Sequence, residues 1–236
     1  MRLSVYERIR LSEARRVLDV GCGEGTVTRD LVEIFDGRLV AVDKNPRMVE
    51  QARRRLEPFD NAEVREADAH DLPFEDASFD AALCHLTLMW VDRPQGVVEE
   101  MARVTRPGGS VVAVMEPDYG GKIHYPENPM VDHVFADEAI RRRGGDPHMG
   151  RKLRSVFVRA GLETRVGLLN AEVPACEEDL ETYRIERGMY RRMLLYSGVL
   201  QKAVEAWEQE YVQSLEAGVQ FNYLPMFYAI GRKGDA

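Results

Sequence analysis

The sequence predicts an α/β fold, a doubly wound and mostly parallel seven-stranded sheet with helical lid insertions. Three observations carry this. Short apolar runs alternate with helix-periodic segments from residue 15 to 116, the pattern of successive βαβ units. The first run ends in three glycines at alternate positions, Gly21, Gly23 and Gly25. Polar and acidic residues (Asp19, Asp43, Asp68, His85 and Glu116) stand at or near the ends of the runs, where parallel sheets place their ligands.

Each element has its own reason. Val17 to Val20 reads as a short buried strand and Thr26 to Phe35 as a helix, with Val27, Leu31, Ile34 and Phe35 at helical spacing. Arg38 to Val42 is a second strand. Pro46 to Leu56 is a helix, with Asn45 as N-cap and Pro46 at its first position. Ala62 to Ala67 and Phe79 to Cys84 are further strands. The helix from Gly96 to Val104 is stopped by Pro107-Gly108-Gly109, and Ser110 to Met115 is the fifth strand. Beyond it, Tyr119 to Pro129 reads as a loop, Met130 to Arg143 and Met149 to Ala160 as helices, and Leu162 to Val173 as a strand. Glu177 to Met193 and Leu200 to Leu215 are amphipathic helices. The second of them places Leu200, Ala203, Val204, Trp207, Tyr211 and Leu215 on one face. Met226 to Gly231 closes the chain as a strand, with Pro225 at its start or at a bulge. The expected organisation is a single domain over 1–236, with a cofactor-binding core at 15–116 and helical lid or substrate insertions at 117–147 and 174–217.

Composition narrows the function classes. The chain has 236 residues, 44% of them hydrophobic, which is enough for a full core. Its formal net charge of −8 repels phosphate backbones, so no nucleic-acid partner is expected. Three cysteines (Cys22, Cys84 and Cys176) without metal-binding spacing fit free thiols in a reducing, cytoplasmic setting and no metal site. No apolar run is long enough to span a bilayer, and the charged N-terminus is no signal peptide; no membrane partner is expected.

The glycine loop discriminates between cofactors. Asp43, twenty residues beyond Gly23, can accept hydrogen bonds from both hydroxyls of a ribose. A dinucleotide fingerprint needs a third glycine at position 26, which is Thr26, and the acidic Glu24 inside the loop would repel a pyrophosphate.

These segments resemble the class I S-adenosylmethionine-dependent methyltransferases, small-molecule enzymes of methyltransferase type 11. Residues 17–28, VLDVGCGEGTVT, resemble their first motif, and residues 41–53, AVDKNPRMVEQAR, the second. Residues 66–84, EADAHDLPFEDASFDAALC, resemble the segment that meets adenine. Residues 99–114, EEMARVTRPGGSVVAV, resemble the helix, turn and fifth strand that follow, and FYAIGRK at 227–233 resembles the antiparallel seventh strand. The resemblance implies a Rossmann-like methyltransferase fold with S-adenosyl-L-methionine as cofactor and S-adenosyl-L-homocysteine as product. By resemblance, Asp19, Gly21, Gly23 and Gly25 cradle the methionine portion, with Cys22 inside the loop. Asp43 binds ribose, Lys44 and Met48 border the adenine, Asp68 and Ala69 hold its edge, and His85 lies near the sulfonium.

Methyl transfer to a small-molecule acceptor by in-line displacement needs chiefly proximity, alignment and exclusion of water. His85, Glu116, Tyr119 and His124 are the candidates for base or positioning group, each with a loop hydrogen bond or core packing as the plainer reading. Trp90 and Tyr125 are candidates to face the sulfonium, with ordinary packing the plainer reading. Tyr6 and Arg8 are candidates for the residual N-terminal cover of the cofactor. The cations Arg141 to Arg143 and Arg151, Lys152 and Arg154 flank a glycine-rich break, where a solvated charge run is favoured over an anion site. An NAD(P)-dependent oxidoreductase and a protein or RNA methyltransferase are the alternatives. The apolar faces of the insertions, with Tyr183, Met189, Tyr190, Met193, Trp207 and Tyr211, could equally form a homodimer interface.

Overall fold

A computed structural model describes residues 2–127, 140–169 and 194–235, together with 181, 184, 188, 191 and 192. The elements run α1 (Leu3–Arg8), β1 (Arg16–Val20), α2 (Thr26–Glu33), β2 (Arg38–Asp43), α3 (Pro46–Leu56), β3 (Ala62–Glu66), β4 (Phe79–His85), α4 (Pro94–Val104) and β5 (Thr105–Pro117). They continue with β6 (Ile123–Tyr125), α5 (Met149–Arg159), β7 (Glu163–Leu168), α6 (Gln201–Glu216), β8 (Phe221–Tyr223) and β9 (Met226–Arg232).

Seven strands form one sheet in the order β3-β2-β1-β4-β5-β9-β7. The first five are parallel and β7 runs antiparallel to β9. The chain steps outward from β1 through β2 to β3, then returns to β4 on the other side of β1. That reversal is the switch point at which open α/β sheets bind ligands. Val17 to Val20, Leu39 to Val42 and Ala81 to Cys84 are buried without a break, as strands covered on both faces must be. On one face α1 and α2 supply Val5, Tyr6, Ile9, Leu31 and Val32 to a core with Val17, Leu39, Leu83, Val112 and Ile230. Elsewhere α4 packs against α5, and α5 against β7 and β9.

Local chemistry explains the boundaries. Asn45 accepts the Arg47 N–H at 3.0 Å ahead of Pro46, so α3 begins where its cap and proline direct it. Gly161, at φ +76°, ends α5. Pro225 directly precedes β9, where it owes the ladder no N–H.

Three boundaries depart from expectation. β5 begins at Thr105 rather than Ser110, because Arg106 to Gly109 form an irregular bulge of the strand rather than a separate turn. The ladder passes from Phe79–Thr105 directly to Ala81–Ser110, and Gly108 sits at φ +70°. Residues 123–125, read as loop, pair with β8 as a two-stranded antiparallel ribbon; three residues are too few for a period-2 signal. In α6 the buried face is Val204, Trp207, Glu208 and Leu215, whereas Leu200 is an extended N-cap residue 78% exposed. The helices expected at 130–143 and 177–193, with Cys176, Tyr183, Met189, Tyr190 and Met193, fall wholly or largely outside the described residues. No helix among the described residues is long and apolar enough to cross a membrane.

The chain divides into two compact units. The first comprises residues 1–116, 149–169 and 226–236 and holds the seven-stranded sheet. The second comprises 117–148 and 170–225 and holds the β6–β8 ribbon and α6.

Gly25 caps α2 at φ +81°, and a Cβ there would meet the Ala52 Cβ at 3.0 Å and its Cα at 3.1 Å. Gly25→Ala is therefore expected to destabilise the first unit by about 1–3 kcal/mol, read as a lowered urea midpoint with unchanged slope.

Candidate active site

The carboxyl edge of the sheet holds a cleft. Gly21 contributes from the end of β1, Val42, Asp43 and Lys44 from β2, and Ala67, Asp68, Ala69 and His70 from the end of β3. Leu86, Thr87, Trp90 and Val91 follow β4. Its empty space is about 610 Å³ including the open mouth.

The loop after β1 is tied to its neighbours. Gly21 and Cys22 donate N–H bonds to the Val42 carbonyl at 2.8 and 3.0 Å. Gly23 donates to Asp43 Oδ2 at 2.9 Å, while Asn45 donates to Oδ1 at 2.8 Å. The Asp43 carboxylate thus braces two loops and keeps further lone pairs for a ligand. The three glycines differ in purpose. A Cβ on Gly21 would meet Thr87 Cγ2 at 2.5 Å, and one on Gly25 would strike α3; at Gly23, with φ +55°, nothing lies within 4 Å. Gly23 is the position that leaves open space beside the loop, whereas Gly25, expected in the cradle, serves the packing of α2 on α3.

Asp19 is buried, and its Oδ2 accepts the Thr28 hydroxyl at 2.7 Å. His85, expected near the sulfonium, is not among the residues that line the cleft. Its Nε2 is hydrogen-bonded to the Tyr6 hydroxyl, with the rings edge to face at 5.9 Å. Its Nδ1 is buried with no hydrogen-bond partner among the described residues, 4.0 Å from Asp19 Oδ1. Tyr6 on α1 therefore covers this end of the sheet, its phenol raised above its ordinary pKa by burial and then by the Asp19 charge. Arg8 instead donates to the Tyr228 hydroxyl at 2.8 Å. Burial, then Asp19 and Asp43, push the Cys22 thiol up, so it stays protonated and is no nucleophile. Met48, expected at the adenine, is half-buried on α3 and does not line the cleft.

Glu116, a candidate base or positioning group, makes hydrogen bonds to a loop. It is 0% exposed and accepts the N–H groups of Thr87 (2.9 Å), Leu88 (2.8 Å) and Met89 (3.1 Å). It clamps the short turn Leu88–Trp90 that helps wall the cleft. Burial pushes its carboxyl up to about 7 against the lowering effect of the three N–H groups. Tyr119 and His124 belong to the second unit. Tyr119 donates its N–H to the Pro147 carbonyl at 2.9 Å, and His124 pairs with Asn222 in the ribbon. Tyr125 is 63% exposed. Arg141 to Arg143 fall in the second unit and Arg151, Lys152 and Arg154 in the first. Among the described residues no cluster of three metal-ligating side chains occurs.

Gly21, Asp43, Lys44, Asp68 and Ala69 line the cleft as expected, and Trp90 joins them. Sequence reasoning missed His70, Leu86, Thr87 and Val91. Their signal was present only as position, immediately after a strand end, because loop residues carry no periodicity.

Residues 18–113 match the model of the methyltransferase domain family. The chain is 26% identical over 228 residues to an uncharacterised methyltransferase of Schizosaccharomyces pombe, covering 87% of this chain and 81% of that one. It is 41% identical over 97 residues to a demethylmenaquinone methyltransferase of Clavibacter sepedonicus, covering 41% of this chain and 39% of that one. The chain spans about two fifths of the length of several curated relatives that it matches. Its fold is that of phosphoethanolamine N-methyltransferase 2 of Haemonchus contortus, solved in complex with S-adenosyl-L-methionine. The TM-score is 0.65 at 16% identity, over 99% of this chain and 52% of that one.

The raised carboxyl of Glu116 has a defined sign. Between about pH 4.5 and 7 the folded state holds a proton that the unfolded state has released, so this group lowers stability as pH rises through that window and adds no further change above it. Wild type should lose on the order of 1–3 kcal/mol more stability than Glu116→Gln between pH 4.5 and 7. Urea unfolding across pH would show parallel profiles if the clamp is not protonated.

Proposed function

We propose that this protein transfers a methyl group from S-adenosyl-L-methionine to a small-molecule acceptor. The observation that carries the reading is the cleft at the carboxyl ends of β1 to β4, lined by Gly21, Asp43 and Asp68, inside the segment that matches the methyltransferase domain.

The residues fit the cofactor. Gly23 leaves unfilled space beside a loop of positive φ, which lets a ligand approach main chain closely. The Asp43 carboxylate, braced by two N–H groups, is a rigid acceptor for ribose hydroxyls. Asp68 and Ala69 offer an acceptor and main chain to the adenine edge. The carboxylates Asp19, Asp43 and Asp68 give this edge of the sheet a negative field suited to a ligand bearing a sulfonium and an ammonium. When bound, the cofactor supplies an electrophilic methyl group. The chain's part is to hold its two ends, align the acceptor in line and keep water out. Tyr6 and His85 close one side of this region with a part-buried hydrogen bond; Glu116 fixes the turn that bears Trp90. A small acceptor is supported by relatives named for demethylmenaquinone and for a sterol and by the net charge of −8. The free thiols of Cys22 and Cys84 suit the reducing cytoplasm.

Calorimetric titration with S-adenosylmethionine, S-adenosylhomocysteine and NAD tests this. Both sulfur ligands should bind with Kd of about micromolar order and NAD far more weakly. Asp43→Ala should weaken the sulfur ligands by about ten- to hundredfold, the worth of a hydrogen bond to a charged group, with folding checked by circular dichroism. Preferential binding of NAD would overturn the reading in favour of an oxidoreductase.

A further inference from the structure

His70 lines the cleft beside Asp68. Its main-chain N–H and its ring Nδ1 each lie 2.9 Å from the same atom, Asp68 Oδ1. The other ring nitrogen, Nε2, is buried with no partner among the described residues. Cδ2, bonded to Nε2, lies 3.7 Å from where a Cβ on Gly96 would stand, so that edge of the ring is packed against α4.

This arrangement fixes the tautomer. A proton on Nε2 would be a buried donor without an acceptor, which is costly. The proton therefore resides on Nδ1, and the ring donates to Asp68. Two donors converge on Oδ1 and hold the carboxylate in one orientation. The His70 main-chain N–H first, and its ring second, keep the Asp68 carboxyl below the usual carboxylate range, so it is an ionised acceptor. Among the described residues nothing hydrogen-bonds to Oδ2, which is left for a ligand.

We propose that His70 is a positioning residue that sets the base specificity of the cleft. By pinning Oδ1 it presents Oδ2 as an acceptor, which selects a purine with an exocyclic 6-amino group over its 6-oxo counterpart. The proposal rests on the cofactor reading above. A 6-oxo base would place a carbonyl against the fixed carboxylate, leaving two acceptors facing each other. Without the ring donor a single main-chain N–H is left on Oδ1, the carboxylate can rotate about it and the discrimination falls, although the ribose and main-chain contacts persist.

The test compares S-adenosylhomocysteine with S-inosylhomocysteine by calorimetry on wild type, His70→Asn, His70→Leu and Asp68→Ala. Wild type should favour the adenosyl ligand by about ten- to hundredfold. His70→Asn, whose amide nitrogen can replace Nδ1 as donor, should keep most of that ratio. His70→Leu should reduce it to about threefold or less while still binding S-adenosylhomocysteine, as should Asp68→Ala. If His70→Leu does not fold, as judged by circular dichroism, His70→Ser takes its place. A wild-type ratio in the Leu or Ser variant, or a His70→Asn no better than either, overturns the proposal. Equal binding of both ligands by wild type overturns base selection alone. Failure of both to bind wild type overturns the cofactor reading and this proposal with it.

Discussion

A parallel sheet buried on both faces has room for polar side chains only at its ends, and that constraint organises everything at the functional edge of this protein. Asp19, Asp43, Asp68 and Glu116 all stand where a buried strand finishes or just beyond. Each is anchored by a donor from a loop or helix that follows a strand. Asp43 takes N–H groups from Gly23 and Asn45, Asp68 from His70, Glu116 from three successive residues, and Asp19 the Thr28 hydroxyl. The carboxylates meet the N–H groups that irregular loops would otherwise leave without partners, and the loops in turn fix the carboxylates. The rigidity of the site comes from this exchange rather than from regular secondary structure.

Two of these anchors cross between strands. The bond from Gly23 to Asp43 ties the loop after β1 to the end of β2, and Glu116 ties the end of β5 to the turn after β4. The Thr87 methyl then fills the space that a side chain on Gly21 would need. Contacts on one side of the cleft therefore depend on packing on the other. Gly21, Thr87 and Glu116 set the shape of the wall, whereas Asp43 and Asp68 give the cleft its carboxylates.

The order of β1 to β5 and the helices between them was legible because buried parallel strands are continuous apolar runs and their helices carry caps at fixed positions, as Asn45 and Pro46 do. The glycine at 23 and the acid at 43 could be paired by spacing alone. Glu116 stayed open between base, positioning group and loop hydrogen bond because its position at a strand end says nothing of which way its side chain turns. Only the three N–H groups around it reveal a clamp. His70 escaped notice because an Asp and a His two residues apart carry no periodic signal, and what matters there is a tautomer set by burial. The ribbon of β6 and β8 was invisible because its strands lie almost a hundred residues apart and are three residues long.

The segment 170–225 leaves the first unit after Leu169 and returns at Met226, and those two residues share a hydrogen bond of 2.8 Å between the Leu169 N–H and the Met226 carbonyl. The antiparallel pair β7–β9 thus closes the excursion at its base. To the sheet, everything between is a hairpin loop of arbitrary length, whose closure entropy grows only with the logarithm of the residues it contains. Evolution or an engineer can lengthen, shorten or exchange that excursion while the register of β7 on β9 stays as it is, and the cleft-bearing stretch before residue 117 is untouched in the chain.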